Sequence, residues 1–228
     1  MTAASLAASL DRIFQVQPHM SGPYAVTMAI VGIALTVVPG VWHVARPVNA
    51  IVHEAAHATI GAAVGLKITK MEFKFNGDGG TGVGGDDSSL IRFPAAFVGY
   101  LGPSAFGIGA AELIRIGHSV AVLWIAVAGL IPIMYLARKS VGVIIVIATF
   151  VVLLLLAGSA SVGVQVTTAY AITWFLLVSG ARVIRQHGKG ARDAGILREM
   201  TGIPHAVWPV LWFTGAAAGL LFGAVLLL

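Results

Sequence analysis

The sequence has no cysteine and very little charge: 14 Lys and Arg and 9 Asp and Glu in 228 residues, 10% of the chain. Without cysteine there is no disulfide framework and no thiolate ligand, so any metal must be held by His, Asp or Glu. A soluble domain carries about 25% charge. A chain that is 58% hydrophobic, with mean hydropathy +0.93, has more apolar surface than a water-soluble core of this size can hide. The shortage of charge therefore excludes an ordinary soluble domain and points to an integral membrane protein. The net charge of +5 is not read as a nucleic-acid signal, because basic residues gather in the cytoplasmic loops of membrane proteins. The N-terminal stretch "MTAASLAASLDRIFQVQPHM" lacks the apolar run of a cleavable signal peptide, and residues 1–23 read as a short interfacial segment.

Uncharged runs mark the membrane helices: residues 24–44, 47–65, 93–111, 119–137, two within the uncharged stretch 140–181 turning at "AGSAS", and 203–228. The expected fold is an all-α polytopic protein, one membrane domain over 1–228, with about seven transmembrane helices. Placing the N-terminus inside and the C-terminus outside collects twelve basic residues on the inner side: Arg12, Lys67, Lys70, Lys74, Arg92, Arg138, Lys139, Arg182, Arg185, Lys189, Arg192 and Arg198. Only Arg46 and Arg115 fall outside, a strong positive-inside asymmetry. Between the second and third helices, apolar Ile68, Met71, Phe73 and Phe75 alternate imperfectly with charged residues before a glycine-rich stretch. This reads as a short β-hairpin or edge strand over 67–76, with 77–89 closer to a flexible glycine linker.

The stretch "PVNAIVHEAAHATIGAAVG" places three ionisable groups inside an apolar helix, where each costs of order 3 kcal/mol. His53 and His57 are one turn apart on one face, so both imidazoles can reach one metal. Glu54 follows His53 directly and is angled to act on a water at that metal. This is the H-E-x-x-H arrangement of zinc hydrolases, in which the glutamate is the general base. Pro47 suits a helix start and Gly65 a helix end. Asp193, in "DAGILREMTGIPHAVWPVLW", is a plausible third ligand, equally readable as a surface residue paired with Arg192. His205 is the runner-up, and Asp86 and Asp87 stay open as alternatives. Ala95, Gly99, Pro103, Gly107 and Ala111, and Gly215, Gly219 and Gly223, form i+4 rows that read first as close helix packing. Tyr100, Pro103 and Ser104 near the expected kink are weaker candidates for holding a substrate backbone.

Three segments resemble the site-2 protease family of intramembrane zinc metalloproteases, in particular its compact bacterial branch without PDZ domains. They are "HEAAHATIGAAVG", the Gly-Pro segment "FVGYLGPSAFG", and the aspartate-bearing "DAGILREMTGIPHAVWPVLW". The resemblance covers 47–112, the metalloprotease core, and 175–213, within the Asp-bearing segment and last helix over 175–228. It implies zinc on His53, His57 and Asp193, Glu54 as base, and a bacterial inner-membrane enzyme. Such an enzyme cuts a membrane-protein substrate in or near a transmembrane segment, with the hairpin adding a strand to the unwound substrate. The chain departs from the family pattern at Ala194, where glycine usually follows the aspartate. The alternatives are a metal-binding scaffold without proteolysis and a small transporter using His53 and Glu54 as an ion relay; no inverted repeat supports the latter.

Overall fold

The computed structural model describes residues 2–85, 88–187 and 190–228. Helix α1 (Ala3–Asp11) precedes α2 (Gly22–Val37) and α3 (Pro39–Ala63). The strands β1 (Lys67–Phe73) and β2 (Gly79–Gly84) follow, then α4 (Ser89–Val98), a 3-10 turn (Gly99–Leu101) and α5 (Gly102–Arg115). The chain continues through α6 (Ser119–Leu136), β3 (Ala137–Arg138), α7 (Ser140–Ser159), α8 (Val162–His187), α9 (Arg192–Thr201) and α10 (Val207–Leu227). Among the described residues, five segments are long and apolar enough to cross a membrane: Ser89–Arg115, Ser119–Leu136, Val141–Ser159, Val162–Gln186 and Val207–Leu227. Taken together, α2 and α3 make a sixth, bent by 92°. The protein is a multi-pass helical membrane protein carrying a small sheet, with five or six candidate spans where seven were expected.

The difference lies at the first two spans. The expected break at Arg46–Pro47 falls instead at Val38, whose φ of −72° and ψ of 119° are extended. Proline disfavours the helical conformation in the residue before it and suits the first helical turn, so "VVPG" ends one helix and starts the next. Pro39 takes the start of α3, and Pro47 lies inside that helix. The bend turns α3 across the bundle. Near its start, Trp42 packs on Phe175, donates Nε1–H to Gln186 Oε1 at 3.2 Å and lies under the Arg182 guanidinium. Arg46 Nε donates to Phe75 O in the hairpin at 3.1 Å. At the other end Gly65, with φ +84°, stops the helix where a residue with a side chain would be strained. Both ends of α3 therefore lie at the end of the bundle that carries the hairpin.

The N-terminal segment packs at the opposite end. Arg12 Nη1 donates to Ala160 O at 3.3 Å and Gln165 Oε1 at 3.2 Å, and Gln17 N donates to Gly117 O at 2.7 Å. Leu227, at the close of α10, is buried in the apolar cluster that also takes in Ile114, Ala157 and Val166. The N-terminal segment and the close of α10 thus lie toward the same end of the bundle. The charge asymmetry survives with two members exchanged. Of the described basic residues, Arg46, Lys67, Lys70, Lys74, Arg92, Arg138, Lys139, Arg182, Arg185, Arg192 and Arg198 belong to the hairpin end, against Arg12 and Arg115 at the other.

β1 is the central strand, antiparallel to β2 from Lys67↔Gly84 to Phe73↔Gly79 and parallel to β3 at Met71↔Ala137 and Glu72↔Arg138. The glycine stretch read as a linker is therefore a strand over 79–84, and β2 rather than β1 is the open edge. Met71 and Phe73 are buried with Ile51, Leu130, Ile133 and Val146, which docks the hairpin on α3, α6 and α7. Lys139 donates to Glu72 across the β1–β3 pair, and together with Lys70 holds that carboxyl below its usual range. Deeper in the bundle, Leu177 of α8 fits between Gly107 of α5 and Gly223 of α10. A Cβ at either glycine would stand 2.9 or 2.5 Å from its side chain, so these small-residue rows serve close packing.

Candidate active site

His53 and His57 project from one face of α3 with their Nε2 atoms 3.1 Å apart. Asp193 Oδ2 stands 3.3 Å from His53 Nε2 and 3.4 Å from His57 Nε2. A tetrahedral zinc with bonds of about 2.0–2.1 Å has ligand-to-ligand edges of roughly 3.3–3.4 Å. The three atoms already stand near that spacing, and the hard oxygen and two imidazole nitrogens are a donor set zinc accepts. Among the described residues, no other group of three His, Asp or Glu gathers in this way.

The surroundings orient these side chains. The His57 ring donates Nδ1–H to Ala95 O at 2.6 Å, which fixes the tautomer with its lone pair on Nε2, facing the site. Asp193 lies in the first turn of α9, a short helix laid against α4. Ala194 and Leu197 of α9 are fully buried in an apolar cluster with Tyr100, Trp208 and Trp212, which anchors the helix with the Asp193 carboxylate beside the histidines. The departure at Ala194 has its reason here, since the methyl fills this apolar contact. Because α3 lies across the bundle, Asp193 reaches the histidines from outside a span. His205, the alternative ligand, instead uses Nε2–H to hold Ala191 O at 3.1 Å and so braces the turn that carries Asp193. Asp86 and Asp87 lie outside the described residues.

Glu54 is 4% exposed and makes no ion pair among the described residues. Its Oε2 accepts the Thr81 hydroxyl at 2.7 Å, which leaves Oε1 without a described hydrogen-bond donor. β2 presses close to it: a Cβ on Gly79 would stand 2.5 Å from Oε1. Gly99 is the counterpart on the other side. A Cβ there would overlap His57 Nε2 and stand 2.8 Å from His53 Cε1. Tyr100 meets His53 edge-on at 4.7 Å, stacks on Trp212 at 4.5 Å and lines the site. Pro103 and Ser104 are not brought to it; they pack on Gly180 between helices.

A cavity of about 530 Å³ joins these groups, bounded by α3, the hairpin turn, β2, α4 and the start of α9. Gly99 lies ten residues beyond Ser89 in its 27-residue span, about 15 Å along the helix axis. The site is therefore sunk among apolar helices and open to polar groups on one side. Thr81, Gly79, Gly99 and Asn49 were not singled out as site residues by the sequence. The one available signal was Thr81, the lone hydroxyl in "GDGGTGVGG".

No curated protein and no solved structure matches the chain. A family model described as Peptidase M50B-like matches residues 26–223, taking in the α3 histidines, the glycine-rich hairpin and the Asp193 helix. The protein thus belongs to the Peptidase M50B-like family, within the site-2 protease family that its histidines and aspartate resemble.

Proposed function

We propose that the protein is a zinc endopeptidase that hydrolyses a peptide bond in or beside a transmembrane segment of another membrane protein, in the bacterial inner membrane. The observation that carries this is the convergence of His53, His57 and Asp193 at zinc-ligand spacing with Glu54 beside them, inside a cavity among membrane helices. When bound there, zinc supplies Lewis acidity to water and to the peptide carbonyl. The chain's residues do the rest. Glu54 Oε1 takes the proton of the attacking water and returns it to the departing amine nitrogen, so that water adds across the broken C–N bond. Thr81 fixes the carboxylate for both transfers, and Tyr100 bounds the space opposite His53. The open edge of β2, from Gly79 to Gly84, is suited to pair with an unwound substrate strand, a role expected of 67–76 before β1 proved central. The basic residues gathered at the hairpin end support a cytoplasmic position for the cavity.

The test uses purified protein incubated with detergent-solubilised bacterial membranes. New peptide termini should arise within or next to transmembrane segments, vanish with 1,10-phenanthroline and return with zinc. Termini that persist in the chelator, or no new termini from a zinc-loaded protein, contradict the reading.

A further inference from the structure

Asn49 lies one turn before His53 on α3, so Asn49, His53 and His57 form a single i, i+4 row. Its side chain is 3% exposed and lines the cavity. Its Oδ1 is wholly buried and accepts no hydrogen bond from any described residue. A buried acceptor left unpaired costs about 1–3 kcal/mol, so such groups in a cavity are places where a ligand's donor fits.

On the proposed reading that the cavity takes an extended peptide, the spacing identifies the donor. An α-helix rises about 5.4 Å per turn, and an extended chain repeats the same backbone face about every 6.6–6.8 Å, two residues. A strand lying along α3 with its scissile carbonyl beside His53 and His57 brings a backbone N–H roughly two residues away to the level of Asn49. We infer that Asn49 is a substrate-binding residue whose Oδ1 accepts that backbone N–H, setting the register of the extended substrate against the metal. It selects an unwound chain over a helix, because in a helix that N–H is already donated within the segment. It also disfavours proline at that position, which has no N–H to give.

The test measures binding of peptidyl hydroxamates, whose hydroxamate chelates zinc, to the full-length zinc-loaded protein in detergent. A series is made on either side of the hydroxamate with each backbone nitrogen methylated in turn. Wild type should lose about tenfold in affinity at one methylated position, and Asn49→Ala should lose none there. Asn49→Asp, which keeps an acceptor in place, should keep the discrimination, and Asn49→Leu, which keeps volume, should abolish it. The inference is overturned if every methylation costs the same factor in wild type and in the Ala and Leu variants. It is equally overturned if the unmethylated hydroxamates fail to bind a wild type that holds zinc. A wild type that holds no zinc overturns the metalloprotease reading beneath it, which zinc content measured alongside distinguishes.

Discussion

Glu54→Gln should lower kcat by about 10³-fold, with zinc content unchanged, the range expected when a general base is removed. The amide keeps the shape of the carboxylate and still accepts the Thr81 hydroxyl, which in wild type donates at 2.7 Å. It has no basic oxygen to take a proton, so the water is not deprotonated. Zinc should remain because Glu54 is not among the converging ligand atoms, which belong to His53, His57 and Asp193. Thr81→Val gives the graded companion. A hydrogen bond to a charged group contributes about 1.5–3 kcal/mol, so freeing the carboxylate to rotate should cost kcat about tenfold. Counting new termini over time in solubilised membranes measures both. A scaffold without proteolysis is indifferent to Glu54→Gln, and unchanged cleavage by that variant contradicts the assignment of the base.

Gly99→Ala should lower zinc affinity by roughly 100-fold or more and abolish cleavage, although it adds a single methyl. Ordinarily, replacing a helical glycine with alanine stabilises a helix by about 0.5–1 kcal/mol. The backbone at Gly99, φ −50° and ψ −52°, is one that any residue adopts. Conformational freedom is therefore not why glycine stands there. The reason is space, since a Cβ would occupy the position of His57 Nε2 and crowd His53. Either the imidazoles rotate off the metal or α4 withdraws and takes Ala95 O, the His57 acceptor, with it. Gly109→Ala is the control, because nothing lies within 4 Å of a Cβ there. Titrating zinc against the purified variants measures the effect. Wild-type affinity in Gly99→Ala contradicts the close approach of the 3-10 turn to the histidines.

What was legible in the sequence was what one helix or one composition determines. The lack of charge marked a membrane protein, and the four-residue spacing of His53 and His57 marked two candidate ligands on one face. The hairpin was legible from the alternation through Ile68, Met71 and Phe73, and the turn between α7 and α8 from its small residues. What depended on the meeting of distant segments was not. The 92° bend at Val38 was hidden because a span was ended at its next charge, Arg46, rather than at Pro39. That choice in turn grouped Arg12 with the basic residues of the hairpin and set Arg46 apart, whereas Arg46 binds Phe75 O in the hairpin and Arg12 binds Ala160 O and Gln165. The strand over 79–84 looked like a linker because glycines carry no alternation. Their small size is what β2 needs beside Glu54. Asp193 was only one of several candidate ligands, because its place beside His53 and His57 comes from the packing of α9 through Ala194 and Leu197 on residues distant in sequence.

The central claim is that His53, His57 and Asp193 together hold one zinc ion, and metal content of the purified protein tests it most directly. Wild type should carry one zinc per chain, and His53→Ala and Asp193→Ala should carry little or none after dialysis against a mild chelator. A wild type without zinc, or full occupancy in Asp193→Ala, would contradict the account.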